Sequence, residues 1–185
     1  MKFARLFSGA TAASVIAAMA VAHSGATGVV KERMDGMDVM KDAVKVIAPM
    51  MKGQTAYDSA TIKKAAQDIG KHAGQPLLTL FPEGSVHGPS EALPSIWEDW
   101  QAFVDLALRL EELADGLAAA SANGFSKEDP ASSQSSMMGT SMMGTASADT
   151  ASVNDIQTLA QMPADRVFTL MSQTCSACHT RFRKE

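Results

Sequence analysis

Between residues 30 and 51 apolar side chains return at Val30, Met37, Val44 and Met51, with Met34 and Ala48 on a second line of the same seven-residue pattern. That spacing predicts a helix with one buried stripe. Gly53 is placed to stop it, and Pro49, which has no N–H to donate, to bend its last turn. A second helix is expected after Asp58, with Ile62, Ala66, Ile69 and Ala73 on one face before Gly74 and Pro76 interrupt. Residues 77–88 read as a connector. The clearest periodicity starts at Pro94. Ser95 and Glu98 have the spacing of a capping box, and Ile96, Trp100, Phe103, Ala107, Leu110, Ala114 and Leu117 share a face. A last helix, with Pro163 at its start or at a kink, carries Phe168, Met171, Cys175, Cys178 and Phe182 on its apolar stripe.

No run of alternating β-branched residues suggests a strand. The expected fold is therefore all-α, an antiparallel four-helix bundle in which each helix buries its stripe against the others. With 185 residues, 46% hydrophobic, the chain has enough for one core and too little for two full domains.

Two segments fall outside that bundle. Lys2 and Arg5 precede an uncharged, Ala-rich stretch ending in Ala20 and Ala22, the layout of a cleaved signal peptide over residues 1–22. The stretch is too weakly apolar for a membrane span, so none is expected in the mature chain, residues 23–185. Cleavage removes two positive charges and no acids, moving the net charge from −4 to −6. An acidic, exported protein of the periplasm is implied, and nucleic acid is a poor partner for it. From 121 to 152 the composition collapses to Ser, Gly, Ala, Thr and Met, with Ser-Met-Met-Gly-Thr occurring twice. This reads as a flexible insertion between the third and fourth helices. The thioethers of Met137, Met138, Met142 and Met143 are the sort of soft donor that suits copper(I), a sharper but less favoured reading.

The chemistry is concentrated in Cys175-Ser176-Ala177-Cys178-His179, a C-x-x-C-H motif and the attachment signature of a c-type haem. On a helix the two thiols share a face and His179 lies one turn beyond Cys175. Each thiol can bond one haem vinyl group, and the imidazole then meets the iron. A thioredoxin-like dithiol needs a helix N-terminus after a strand, zinc needs further ligands that His23, His72 and His87 do not supply, and a disulfide this short stabilises little. Covalent haem is favoured over all three. No Ser-His-Asp order, phosphate loop or flagged carboxylate pair suggests an enzyme.

With Arg33 and Met37 in the first helix, Phe81-Pro82-Glu83-Gly84-Ser85 in the connector, Pro94-Ser95-Ile96-Trp97 and a C-x-x-C-H near the C-terminus followed by Phe182 and Arg183, the chain resembles the class II cytochromes c. That group contains cytochrome c′ and its low-spin relatives. The resemblance implies one covalent haem c near the C-terminus, held by Cys175 and Cys178, with His179 as the proximal ligand and Arg183 near the proximal side. It also implies that Met37 faces the other side of the haem, as a methionine ligand in the low-spin branch or as a blocking side chain in the high-spin branch. Met37 as core filler is the plain alternative.

Arg33 is read either as pairing with a haem propionate or as solvated, Trp97 and Trp100 as core or haem-wall packing, and His72 and His87 as exposed. Two functions follow. One is a one-electron carrier serving periplasmic redox proteins; the other is a high-spin haem protein that binds NO or CO at an open sixth site. The first and third helices offer a face for a homodimer, as in relatives. The insertion at 121–152 departs from the short connection usual in the group.

Overall fold

The computed structural model describes residues 25–126 and 155–184. The expected signal peptide, the paired Ser-Met-Met-Gly-Thr units and most of the expected insertion lie outside the described residues. Seven helices are present among the described residues: α1 (Gly28–Met51), α2 (Ser59–Gly70), α3 (Gly74–Leu78), α4 (Ser95–Glu98), α5 (Trp100–Ala120), α6 (Ile156–Gln161) and α7 (Ala164–Phe182). The four long ones, α1, α2, α5 and α7, make the expected antiparallel four-helix bundle.

Local chemistry sets most of the boundaries. Asp58 caps α2, its carboxylate accepting from Ala60 N at 2.9 Å and Thr61 N at 3.4 Å. α1 ends at Gly53, whose φ of +65° is the left-handed region that glycine occupies without strain. Gly53 N bonds Met50 O at 3.0 Å and Gln54 N bonds Pro49 O at 2.8 Å, the paired closure of a Schellman motif. Pro49 lies inside α1, which runs on to Met51.

Several expectations need correction. The stripe that α1 buries is Val30, Arg33, Gly36, Met40, Ala43 and Ile47, while Met34, Met37, Val44, Ala48 and Met51 are half-buried. Small residues explain the turn of the helix: Gly36 and Ala43 let the α2 side approach closely, with His72 seated against Gly36. His72 is accordingly half-buried rather than exposed, whereas His87 is exposed. Gly74 and Pro76 do not merely interrupt; they lie in a short helix, α3, that buries Leu77 and Leu78.

The third expected helix is broken at Asp99. Ser95 does not form the capping box, because its hydroxyl donates to Arg181 O at 3.2 Å; Asp99 caps α5 instead, accepting from Ala102 N at 3.4 Å. The break leaves Trp97 half-buried, with its indole N–H donating to Phe81 O at 3.1 Å, and turns Trp100 outward to 37% exposure. Trp100 is therefore not a core residue.

α5 is the centre of the bundle, packed against α2, α3, α6 and α7. α6 was not legible from periodicity, yet its Leu159 is fully buried. The start of the expected insertion is also bonded down: Asn123 Nδ2 donates to Ala160 O and Met162 O, and Ser126 N and Oγ donate to Asp165. Gly116 of α5 is what lets α6 approach. A Cβ at that position falls 2.7 Å from both Cβ and Cδ1 of Leu159, atoms that cannot swing aside together. Gly116→Ala gains up to about 1 kcal/mol of helix propensity but overpacks a closed contact at a cost of roughly 1–3 kcal/mol. We expect net destabilisation of about 1 kcal/mol, read as a lower urea midpoint.

Candidate functional site

α7 carries the C-x-x-C-H motif on its last two turns, where helical spacing puts Cys175 and Cys178 on one face. Both thiols are half-buried, and they touch different parts of the interior. Cys175 packs against the larger apolar cluster, built around Ile47, Ile62, Leu113 and Met171. Cys178 packs against the smaller one, built around Phe81, Ile96, Phe103 and Phe182. Met37 of α1 is half-buried against both clusters, at the seam that the two cysteines straddle.

Alongside that seam runs a groove of about 300 Å³ lined by Val44 of α1 and by Met171, Ser172, Cys175, Ser176, His179 and Thr180 of α7. The main helix pairings are α2–α5, α5–α7, α5–α6, α1–α2 and α3–α5. The approach of α1 to α7 is thus left open. Val44 is half-buried because it lines this groove while also packing against the larger apolar cluster.

Burial pushes the Cys175 thiol up from its ordinary pKa, and pushes Cys178 up to about 11, with the neighbouring Cys175 adding to the shift. Burial also lowers His179, the Arg183 charge lowers it further, and Glu91 opposes both. At neutral pH the site therefore presents two protonated thiols and an imidazole free to give a lone pair. A redox dithiol needs the opposite, a thiol held low. Among the described residues no group of three or more His, Cys, Asp or Glu side chains could hold a metal, which leaves a zinc clamp without its other ligands.

Arg33 is 4% exposed, so it is not solvated. Its Nη1 donates to Ser85 Oγ at 3.0 Å and to Leu80 O at 3.4 Å; its Nη2 donates to Ser90 Oγ at 2.6 Å and to the Ser85 carbonyl. The guanidinium also lies over the Phe81 ring, 4.7 Å from its centroid. Every one of these acceptors is uncharged, and burial lowers the Arg33 pKa. Arg183 sits at the surface with its Nε on Glu91 Oε2 at 2.7 Å, one turn beyond His179.

Ser85 and Ser90 carried no signal in the sequence that marked them as partners of Arg33. Positive φ at Gly84 and Gly88 shows where the connector turns to bring them there.

These residues fit a flat apolar group that carries iron and carboxylates. Paired protonated thiols at a seam between apolar clusters, a neutral imidazole one turn away and a buried cation facing neutral acceptors are what such a group asks of its site.

A family model described as Cytochrome C' matches residues 28–142. That match ends before Cys175, so the thiols and His179 come from the part of the chain beyond it. A cytochrome c' of Rhodopseudomonas palustris is 35% identical over 121 residues, 63% of this chain and 79% of the relative. A solved cytochrome c' from Rhodopseudomonas palustris shares 25% identity with a TM-score of 0.59 over 86% of this chain and 98% of that one. A carbon monoxide-bound variant of cytochrome c prime from Alcaligenes xylosoxidans has a TM-score of 0.56 at 22% identity, covering 85% of this chain and 94% of that one.

Proposed function

Because the chain belongs to the cytochrome c′ family, whose members carry a single covalent haem c, we propose that it is a one-electron carrier of the periplasm. Cys175 and Cys178 would hold the haem through thioether bonds. His179 is the proximal ligand and Met37 the distal one. Arg33 supplies positive charge for the haem carboxylates, and Arg183 stands on the proximal side.

The observation that carries this reading is the position of Met37. It is packed on both apolar clusters, and each cluster is touched by one of the two cysteines. When bound, the haem supplies reversible one-electron chemistry at iron. The chain's own contribution would be to position the His179 imidazole and the Met37 thioether, and to wall the groove with Val44 and Met171 against water. His179 and Met37, each carried on a packed helix, would be held in place whether the iron is oxidised or reduced.

An acidic surface favours association with basic redox partners, and nothing in the chain points to an enzyme. Among the described residues no helix is long and apolar enough to cross a membrane. Val39 and Val46, exposed two turns apart on α1, support its use as a homodimer face.

The second reading is a high-spin protein that takes NO or CO at an open sixth site. What favours it is the same packing of Met37, since a sulfur pinned on both clusters can be a wall instead of a ligand. Absorption spectra of the oxidised and reduced holoprotein, with and without CO, separate the two. The carrier gives low-spin iron in both states and slow, weak CO uptake. High-spin iron with rapid CO uptake at micromolar concentration overturns it in favour of the gas reading.

A further inference from the structure

Residues 79–94 cross from α3 to α4 without regular structure, and Arg33 ties this connector to α1. Its donors reach Leu80, Ser85 and Ser90, and both serines are buried, at 5% and 3% exposure. The far end of the same connector is fastened to the chain just after α7. Leu93 N bonds Phe182 O at 2.9 Å and Lys184 N bonds Glu91 O at 2.8 Å, making an antiparallel bridge between Ala92 and Arg183. Ser90 belongs to both attachments: its hydroxyl accepts from Arg33, and its carbonyl accepts from Lys184 Nζ at 2.9 Å.

Met37 lies one helical turn after Arg33, and His179 one turn before Arg183. A continuous path of hydrogen bonds therefore joins the turn bearing Met37 to the turn bearing His179. It crosses from α1 to α7, which are not themselves a main packing pair.

We propose that Arg33 is a positioning residue that sets the spacing of the Met37 turn against the His179 turn, through Ser85, Ser90 and the Ala92–Arg183 bridge, and so governs whether the sixth iron position is filled. This rests on the haem reading above. A guanidinium suits the task because its rigid fork serves several acceptors at once, on two loop residues, Ser85 and Ser90. A lysine in its place has a single nitrogen and cannot span them.

The test uses holoprotein in three forms: Arg33→Leu, Arg33→Lys, and the double variant Ser85→Ala with Ser90→Ala, which keeps the charge but removes both hydroxyl acceptors and with them the Arg33 bond to Ser90. In the double variant, covalent haem content stays full while the low-spin fraction falls and CO affinity of the reduced protein rises at least tenfold. Arg33→Leu gives the same change, and Arg33→Lys gives little rescue. Amide hydrogen exchange at Leu93 and Lys184 also speeds up at least tenfold in the double variant.

A double variant with full haem and the spectrum and CO affinity of the wild type overturns the proposal. So does full rescue by Arg33→Lys, which assigns the effect to charge alone. A wild-type chain that matures without covalent haem overturns the underlying reading, and this proposal with it.

Discussion

Exported and matured beside the wild type, a Cys175→Ser, Cys178→Ser variant is expected to carry no haem on the denatured polypeptide, while the wild type carries one haem per chain. The measurement is the intact mass after unfolding, which retains only covalent additions. The effect is total rather than graded, because no other cysteine exists in the chain. Either single variant keeps one thioether and so an intermediate yield. The raised pKa of Cys178, about 11 through burial, means that neither thiol competes by ionising, so loss of attachment reads directly as loss of the bond-forming sulfur. The doubly substituted chain should also melt earlier. Its groove loses the haem that would cover half-buried Val44, and each buried methylene so forfeited is worth about 0.8 kcal/mol. A wild-type mass equal to the bare polypeptide overturns the proposed function at its root.

The proposed attachment motif was open to reading because five contiguous residues contain it: a helix fixes the geometry of Cys175, Cys178 and His179 without help from the rest of the chain. The long helices were legible for a similar reason, since α5 repeats its apolar positions over twenty residues. α1 was harder. Methionine, valine and alanine occur almost all round it, so two stripes one position apart satisfy the same heptad, and only the close approach at Gly36 decides between them. The expected cap of the third helix, Ser95, is drawn off by its tertiary bond to Arg181 O, and Asp99, which no local pattern singled out, caps α5 instead. α6 is six residues long in polar surroundings, below what periodicity can resolve.

Arg33 shows the deeper limit. Its partners lie 47 to 57 residues along the chain, in a loop with no period of its own. Local pattern marks the arginine and the loop separately, and only the packed structure joins them. The half-burial of Val44 is the same lesson from the other side. A helix face that looks like core in the sequence can be the wall of a groove, since a cofactor's apolar surface and a neighbouring helix impose the same side-chain chemistry.

Met37→Ala is expected to convert the reduced protein to a high-spin form whose apparent affinity for CO is about 100-fold above that of the wild type. The argument is one of competition: a side chain that fills the sixth position about 99% of the time leaves about 1% of molecules competent, and its removal restores that factor. In free energy the change corresponds to about 3 kcal/mol. Loss of packing must be told apart from loss of a ligand, since Met37 touches both apolar clusters. Met40→Ala supplies the comparison. Met40 is 7% exposed on the inward face of the same helix, so its truncation costs about 2–5 kcal/mol of stability while leaving the spectrum and the CO affinity as they were. Truncating half-buried Met37 costs less stability than truncating Met40, yet it alone moves the iron. Equal spectra for wild type and Met37→Ala, both high-spin, place the sulfur among the walls of the site and leave the sixth position open to a gas.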